Sequence, residues 1–328
     1  MNSFLNEDFL IEASDYSAIL NGTVIPELQK IEEDRTVPGK GNIPLFCSLF
    51  RAKNPRGTVL VLHGFTENAF KYSELIYSLV MNRFSVIAYD QRGHGRSGRA
   101  EGLSHPSVTH VDHFEDYVED LKTICDTFSS EFPEPWSIFA HSMGGAVAAL
   151  YLERFPGTFS AAALCAPMIA PNTEVPASVA SAVCRFACMI GRGKHHPFFM
   201  KTYSGPEDFN TSCATDPERF AWYDAVKASR EAFWNSVPTY RWTVESIAVT
   251  RKILSAGAPE RVACPVLLST ADHDSSVMPE PQKEFIKRIP KGKHLFVKNS
   301  RHEIFRSTNE VFFPWWHEIL AFLKEVSP

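Results

Sequence analysis

The sequence predicts an α/β fold with a mostly parallel central sheet, helices on both faces and an inserted helical region. Short, nearly continuous apolar runs alternate with longer amphipathic runs, which is typical of buried parallel strands joined by helices. This alternation is lost over residues 169–256 and resumes at residue 264. A chain of 328 residues is long enough for one large domain that carries such an insertion.

The elements follow from this alternation. Residues 1–57 are expected to supply an N-terminal helix and edge strands such as 43–50. Residues 111–132 are amphipathic at helical spacing, with Asp112 as a candidate N-cap. The other predicted strands are 58–65, 84–90, 136–140, 159–168, 264–274 and 293–299, and the other predicted helices are 72–82, 143–155, 175–190, 216–234 and 311–326.

The domain organisation predicted from this pattern is a core of residues 1–168 and 257–328 and a helical cap of residues 169–256. No clear strand is expected within the cap. In doubly wound sheets the site lies outside the carboxyl ends of the strands. We therefore expect the cap to lie over those ends.

Charge and composition exclude several function classes. The net charge of −5 provides no basic field for nucleic acid. The N-terminus carries acidic residues where a signal peptide needs basic ones, and the apolar runs end short of the ~18 residues that suggest a membrane span. We expect a cytoplasmic protein. The 25 phenylalanines leave peripheral contact with the inner membrane surface through the cap as an open alternative, and the sequence leaves the oligomeric state undetermined.

The residue spacing does not predict a metal site. The seven cysteines are odd in number and lack C-x-x-C spacing, which argues against a zinc site and favours a reducing compartment. His195 and His196 lack the i, i+4 spacing of a helical ligand pair, and Cys184 and Cys188 are expected to pack in the core. The glycine-rich residues 90–99 lack the P-loop pattern and are predicted to form a turn.

The candidate nucleophile lies in WSIFAHSMGGAVAAL, residues 136–150. Ser142 comes directly after a predicted strand and directly before a predicted helix, whose N-terminus favours a developing oxyanion. Such a turn requires small residues two positions before and after the serine. Gly144 meets this requirement, and Ala140 adds one methyl group where the G-x-S-x-G pattern has glycine. The alternative is that Ser142 only caps a buried helix.

The candidate base and acid follow later strands, in the order serine, acid, histidine that this architecture uses. His302 is the candidate base, and the alternative is an ordinary surface histidine. Asp274 and Asp272 compete for the role of the acid. Asp274 is favoured because it lies further beyond its strand, where a loop can carry its carboxylate to His302. Either aspartate could instead form a turn.

Backbone N–H groups of Met143 and Phe65 are the predicted donors to a tetrahedral intermediate. Phe65 follows His63 and Gly64 at the end of an earlier strand, where Gly64 permits a tight turn. The same His-Gly pair also fits a simple strand-terminating turn. His141 is expected to point off the opposite face of its strand and to be a packed, hydrogen-bonded neighbour of the nucleophile.

Seven segments resemble bacterial lysophospholipases of the α/β-hydrolase superfamily, close relatives of monoacylglycerol lipases. In chain order they are LHGFTENAFKYSELIYSLV, YDQRGHGRSGR, HVDHFEDYVEDL, AHSMGGA, LCAPM, PTYRWTVESI and RHEI. The resemblance covers about residues 40–325 in consistent order.

The resemblance implies the α/β-hydrolase fold, a serine hydrolase with a helical lid, and no metal or cofactor. It implies Ser142 as the nucleophile, His302 as the base, and Phe65 with Met143 as the oxyanion-hole positions. Counting from the strand places His273 at the acid position, whereas counting back from Val277 and Gln282 selects Asp274. The expected activity is hydrolysis of a lysophospholipid or, second, a monoacylglycerol, through an acyl-enzyme. Another small ester or thioester is an open alternative, and a non-catalytic ligand-binding module is disfavoured.

Overall fold

An eight-stranded sheet forms the centre of the fold. The computed structural model describes residues 4–12 and 14–327; residues 1–3, Ala13 and Pro328 lie outside this part, and with them the start of the acidic N-terminus. The strands of this sheet are β1 Glu32–Pro38, β2 Pro44–Phe50, β3 Gly57–Leu62, β4 Phe84–Tyr89, β6 Trp136–His141, β7 Ala161–Cys165, β9 Val266–His273 and β10 Gly292–Arg301. Two short strands, β5 Val108–Thr109 and β8 Val237–Pro238, pair separately.

Ten α-helical segments of the described residues accompany these strands. They are α1 Tyr16–Ile19, α2 Ile25–Gln29, α3 Ser73–Met81, α4 Glu115–Phe128, α5 Met143–Arg154, α6 Ala177–Met189, α7 Pro217–Ser229, α8 Tyr240–Ile253, α9 Pro279–Arg288 and α10 Asn309–Glu325. None of the helices in the described ranges combines the length and the apolar character that a bilayer crossing requires.

The strand order is β1-β2-β4-β3-β6-β7-β9-β10, and only β2 runs against the others. Helices α4, α5 and α9 cover one face, whereas α3, α10 and the N-terminal helical turns cover the other. Every residue of β3, β4, β6 and β7 is buried, because helices shield both faces of these parallel strands. The predicted mostly parallel α/β sheet is confirmed.

Residues 169–256 connect β7 to β9 and contain three helices, α6 to α8. They touch loops that follow the carboxyl ends of strands: Asn68 donates to the Tyr223 hydroxyl at 2.7 Å, and the Glu303 N–H donates to Cys213 O at 3.0 Å. The expectation of no strand here was wrong, because β8 pairs with β5. A strand of two residues leaves no periodicity in the sequence.

The helix predicted at 111–132 begins only at Glu115, and the predicted N-cap was wrong. The residue before the helix is Phe114, which provides no side-chain cap, and the Asp112 carboxylate instead lies 3.1 Å from Nε2 of His110. The backbone N–H of Phe114 donates to the Glu245 carboxylate at 3.1 Å. A long-range side chain from α8 thus replaces the local cap that the sequence suggested.

Candidate active site

Ser142 occupies a strained turn between β6 and α5. Its φ of 52° and ψ of −117° lie outside the regions that a residue with a side chain ordinarily adopts. The strain is sustained by backbone hydrogen bonds, since the Ser142 N–H donates to Cys165 O at 3.1 Å and the Met168 N–H donates to Ser142 O at 2.8 Å. The turn leaves the serine hydroxyl at the N-terminus of α5, where the helix dipole is positive.

Small residues permit this turn, as the sequence suggested. A Cβ atom added at Gly144 would lie 2.6 Å from the carbonyl oxygens of both Leu62 and His63. At the other side of the serine, the methyl group of Ala140 is fully buried in the core between β3 and β7. The core therefore accommodates the methyl group that replaces glycine at position 140.

One continuous chain of hydrogen bonds joins Ser142, His302 and Asp274. Ser142 Oγ lies 2.8 Å from His302 Nε2, and His302 Nδ1 lies 2.7 Å from Asp274 Oδ2. Because a carboxylate only accepts, the imidazole carries its proton on Nδ1, and Nε2 is free to accept from the serine hydroxyl. Burial alone would raise the pKa of Asp274, but His302 and two backbone N–H groups lower it below its ordinary value. The carboxylate therefore stays ionised beside the imidazole.

The structure distinguishes the two competing aspartates. Asp274 is the first residue after β9, and its Oδ1 accepts from the N–H groups of Ser276 at 2.8 Å and Val277 at 3.0 Å. Asp272 still belongs to β9 and accepts from the N–H of Asn299 at 3.3 Å, away from His302. His273 is exposed and lies 3.5 Å from the Asp272 carboxylate. Of the two aspartates, only Asp274 contacts His302.

Two backbone N–H groups beside the serine are available to bind an oxyanion. Within residues 4–12 and 14–327, neither the N–H of Phe65 nor that of Met143 donates a hydrogen bond. Gly64 brings the first of them close, because a Cβ added there would lie 3.0 Å from the Cβ of Ser142. The Phe65 ring packs on Trp242 of α8, with 4.3 Å between ring centroids.

His63 orders the turn that carries Phe65. Its Nδ1–H donates to Gly64 O at 2.7 Å, and its Nε2 accepts from the N–H of Gln91 at 2.8 Å. The Gln91 side chain returns a hydrogen bond to His63 O at 2.6 Å. Burial lowers the pKa of His63, so the ring is neutral, with one donor and one acceptor nitrogen in use. Residues 90–99 form the predicted turn, and this turn supports the site.

Sequence reasoning missed a buried ionic cluster behind the turn. Glu67 Oε2 accepts from the Gly64 N–H at 2.6 Å and from the Tyr72 hydroxyl at 2.6 Å. Lys71 Nζ lies 2.9 Å from Glu67 Oε1 and 2.6 Å from Glu303 Oε1. In the sequence, Glu67 and Lys71 show only the i, i+4 spacing of an ordinary surface pair, so no signal marked them as buried.

The remaining candidates lie away from this constellation. His195 is exposed and His196 is half-buried in the loop after α6. Cys184 is buried as expected, whereas Cys188 on the same helix is only half-buried. The structure therefore brings together Ser142, His302 and Asp274 with the turns at His63–Phe65 and Met143–Gly144, and leaves these other residues apart.

A strained serine of this geometry, at this place in this strand order, defines the serine hydrolases of the α/β-hydrolase fold, and the chain is one of them. The sequence model of the family described as "Serine aminopeptidase, S33" matches residues 53–309. The chain therefore belongs to this family.

Named relatives agree with this class, and a solved structure shares the fold. Lysophospholipase L2 of Escherichia coli K12 is 31% identical over 303 residues, covering 87% of this chain and 86% of the relative. A monoacylglycerol lipase of Mycolicibacterium smegmatis is 34% identical over 117 residues, covering 35% of this chain and 39% of that protein. A carboxyl esterase of Bacillus coagulans shares the fold with a TM-score of 0.74 at 19% identity, covering 91% of this chain and 99% of that one. The predicted family resemblance is confirmed.

Proposed function

We propose that this protein hydrolyses the carboxylic ester of single-chain glycerolipids, with lysophospholipids as the first substrate class, through an acyl-enzyme on Ser142. The observation that carries the proposal is the unbroken chain of hydrogen bonds from Asp274 through His302 to the serine hydroxyl. A serine hydroxyl is a weak nucleophile until a base takes its proton, and this arrangement supplies that base already oriented.

The proposed reaction has two halves. Ser142 Oγ attacks the acyl carbonyl while His302 Nε2 takes the proton, and the Asp274 carboxylate stabilises the imidazolium. The N–H groups of Phe65 and Met143 donate to the oxyanion. When the carbon–oxygen bond to the glycerol moiety breaks, His302 returns the proton to the leaving alcohol. Water then attacks the acyl-enzyme by the same route and releases the fatty acid.

We propose that residues 169–256 act as a cap on a core formed by residues 1–168 and 257–328. Trp242 of the cap packs on Phe65 beside the serine, and Tyr223 and Cys213 contact loops that carry Asn68 and Glu303. The Ser142 side chain is buried, as is expected beneath a closed cap. An apolar acyl chain would then bind between the cap and the catalytic loops.

The outer surface of the cap supports peripheral contact with an anionic membrane. Helix α6 and its flanks expose large apolar side chains at i, i+4 and i+3 spacing, and two adjacent phenylalanines are exposed beyond them. They are Val175, Val179, Val183, Phe186, Met189, Ile190, Phe198 and Phe199. Residues 175–206 contain four lysines and arginines and no aspartate or glutamate, although the whole chain is acidic. The seven unpaired cysteines support a cytoplasmic location at the inner membrane surface.

A cavity between α6 and α8 favours a substrate that carries a phosphate. Its volume is about 400 Å³, and its lining contains no carboxylate; it consists of apolar residues together with Arg185, Arg251, Ser178, Ser181 and Thr250. Neither arginine pairs with an acidic side chain of the described residues. One lining residue, Pro171, forms an isolated β-bridge with Val277, whose N–H donates to Asp274. Guanidinium groups bind phosphate through paired hydrogen bonds, so this cavity suits a lysophospholipid head group better than a neutral monoacylglycerol.

The proposal is tested with purified protein and a substrate panel. The panel contains lysophosphatidylcholine, a monoacylglycerol of the same acyl chain, p-nitrophenyl esters of increasing length, an acyl thioester and amino-acid p-nitroanilides. We expect the highest kcat/KM for lysophosphatidylcholine, labelling of the protein by a fluorophosphonate, and loss of both activity and labelling in Ser142→Ala. Equal hydrolysis by Ser142→Ala would refute the mechanism, and preference for the anilides would favour an aminopeptidase.

A further inference from the structure

His141, the residue before the nucleophile, contacts two loops of the site at once. Its Nδ1 lies 3.0 Å from Glu67 Oε2, and its Nε2 lies 3.2 Å from the backbone oxygen of His302. The side chain is 1% exposed, so no bulk water competes for either nitrogen. The ring therefore bridges the turn after β3 and the loop after β10.

Both partners of His141 are acceptors, and this fixes its protonation state. A backbone carbonyl only accepts, and Glu67 accepts as a carboxylate. A neutral imidazole has one donor nitrogen and one acceptor nitrogen, so it satisfies only one of these contacts. The imidazolium donates from both nitrogens and satisfies both. His63 provides the contrast within the same site, because its two nitrogens meet one acceptor and one donor.

The charges packed around His141 favour the same state. Burial alone would lower the pKa of His141, but Glu67 and Glu303 outweigh both burial and the opposing charge of Lys71 and raise it above the ordinary value. Burial would raise the pKa of Glu67, but Lys71, His141 and the Tyr72 hydroxyl lower it well below its ordinary value.

Glu303 remains ionised as well, since Lys71 and Arg306 outweigh its burial and lower its pKa to about 2. The charged groups near the His141 imidazolium are thus the carboxylates of Glu67 and Glu303 and the ammonium group of Lys71. The Glu303 carboxylate pairs with Lys71 through one oxygen and with Arg306 through the other. The His141 ring also contacts the rings of Phe305 and His302.

We propose that His141 is a protonated positioning residue, which holds the backbone of the base His302 at a fixed distance from the oxyanion turn. Glu67 completes the connection, because the same Oε2 atom accepts from the Gly64 N–H. The His141 imidazolium and the Glu67 carboxylate thereby connect the base His302 to the turn that carries the Phe65 N–H. The inference rests on the proposed function, in which both loops act on one reacting carbonyl.

The protonation state is tested directly by 15N NMR of the histidine rings, and this readout is independent of activity. At pH 7 we expect two pyrrole-type nitrogens for His141, assigned by loss of its signals in His141→Gln. His63 in the same spectrum should show one pyrrole-type and one pyridine-type nitrogen. A pyridine-type nitrogen at His141 under these conditions would overturn the proposal.

The positioning role is tested by two substitutions that each keep one half of the bridge. The amide nitrogen of asparagine reaches the place of Nδ1, and that of glutamine reaches the place of Nε2. We expect His141→Asn, which loses the bond to the His302 carbonyl, to lower kcat about 100-fold with KM nearly unchanged, as a misplaced base does. We expect His141→Gln, which keeps that bond, to remain within about 10-fold of the parent.

Activity in His141→Asn equal to or above that in His141→Gln would overturn the positioning role. If neither variant folds, the NMR result on the parent protein decides. Failure of the proposed function has a different signature. In that case Ser142→Ala would retain activity, whereas the His141 signals of the parent protein would be unaffected.

Discussion

Replacement of Asp274 by asparagine is the sharpest single perturbation that the site offers. Asparagine has the same shape, and its orientation is fixed by the loop: Oδ1 continues to accept from the N–H groups of Ser276 and Val277. The amide NH₂ group must then face His302 Nδ1, 2.7 Å away, where the carboxylate stood.

This orientation reverses the tautomer of the histidine. Nδ1 becomes the acceptor of the amide, so the ring proton moves to Nε2, which then has no lone pair for the Ser142 hydroxyl. The substitution also removes the charge that stabilises the imidazolium. In a serine protease triad the same change lowers kcat about 10⁴-fold, which corresponds to roughly 5.4 kcal/mol of transition-state stabilisation. We expect a loss of that order for Asp274→Asn at pH 7.

The assay is steady-state hydrolysis of a p-nitrophenyl ester, with fluorophosphonate labelling as a second readout. Asp272→Asn is the matched control, because Asp272 is two residues away and does not contact His302. We expect its kcat to remain within about 2-fold of the parent, as for a surface substitution. A larger loss in Asp272→Asn than in Asp274→Asn, or activity above one tenth of the parent in Asp274→Asn, would refute the assignment of the acid.

Four further outcomes are expected. Gly144→Ala should lower the free energy of unfolding by about 1–3 kcal/mol in urea titrations, because the new Cβ meets two backbone carbonyls at 2.6 Å; an unchanged midpoint would contradict this. Burial raises the pKa of Glu153 to about 8, so the folded state is penalised increasingly as the pH rises from about 4.3 to 8. Glu153→Gln should therefore raise Tm more at pH 8 than at pH 5, and a gain that shrinks with pH would oppose this. The combined Arg185→Gln and Arg251→Gln variant should lower kcat/KM about 10-fold or more for lysophosphatidylcholine and little for a monoacylglycerol. Equal losses for both substrates would contradict binding of the substrate phosphate by these arginines. Phe186→Asp should weaken binding to anionic vesicles in flotation assays and leave hydrolysis of p-nitrophenyl acetate unchanged; unaltered flotation would contradict membrane contact through the cap.

The sequence predicted the core of the fold well because the relevant signals are local. Strands such as β3 and β6 are continuous apolar runs, since helices cover both their faces, and this composition is visible without knowledge of any partner. The elements it misplaced depend on contacts that are distant in the chain. The Phe114 N–H before helix α4 donates to Glu245 of α8 rather than to a local cap, and β8 exists only by pairing with β5.

The candidate site divides in the same way. Ser142 was recognisable because a serine between a strand and a helix, flanked by small residues, is a local pattern. The cluster of Glu67, Lys71 and Glu303 was not recognisable, because Glu303 lies 232 residues from Lys71 and the burial of all three follows from the packing of separate loops. From sequence spacing alone, charged residues such as these are predicted to be exposed to solvent.

The sequence by itself determined the alternation of strands and helices, the residue types at the strand ends and the candidate nucleophile. Apolar periodicity and small residues encode these features within a few positions. Only the tertiary structure showed that Asp274 rather than Asp272 contacts His302, because this contact depends on where β9 ends and where the following loop runs. It also showed that His141 faces two hydrogen-bond acceptors. The charge on that histidine is set by groups that lie 74 and 161 residues away, and only folding brings them within reach.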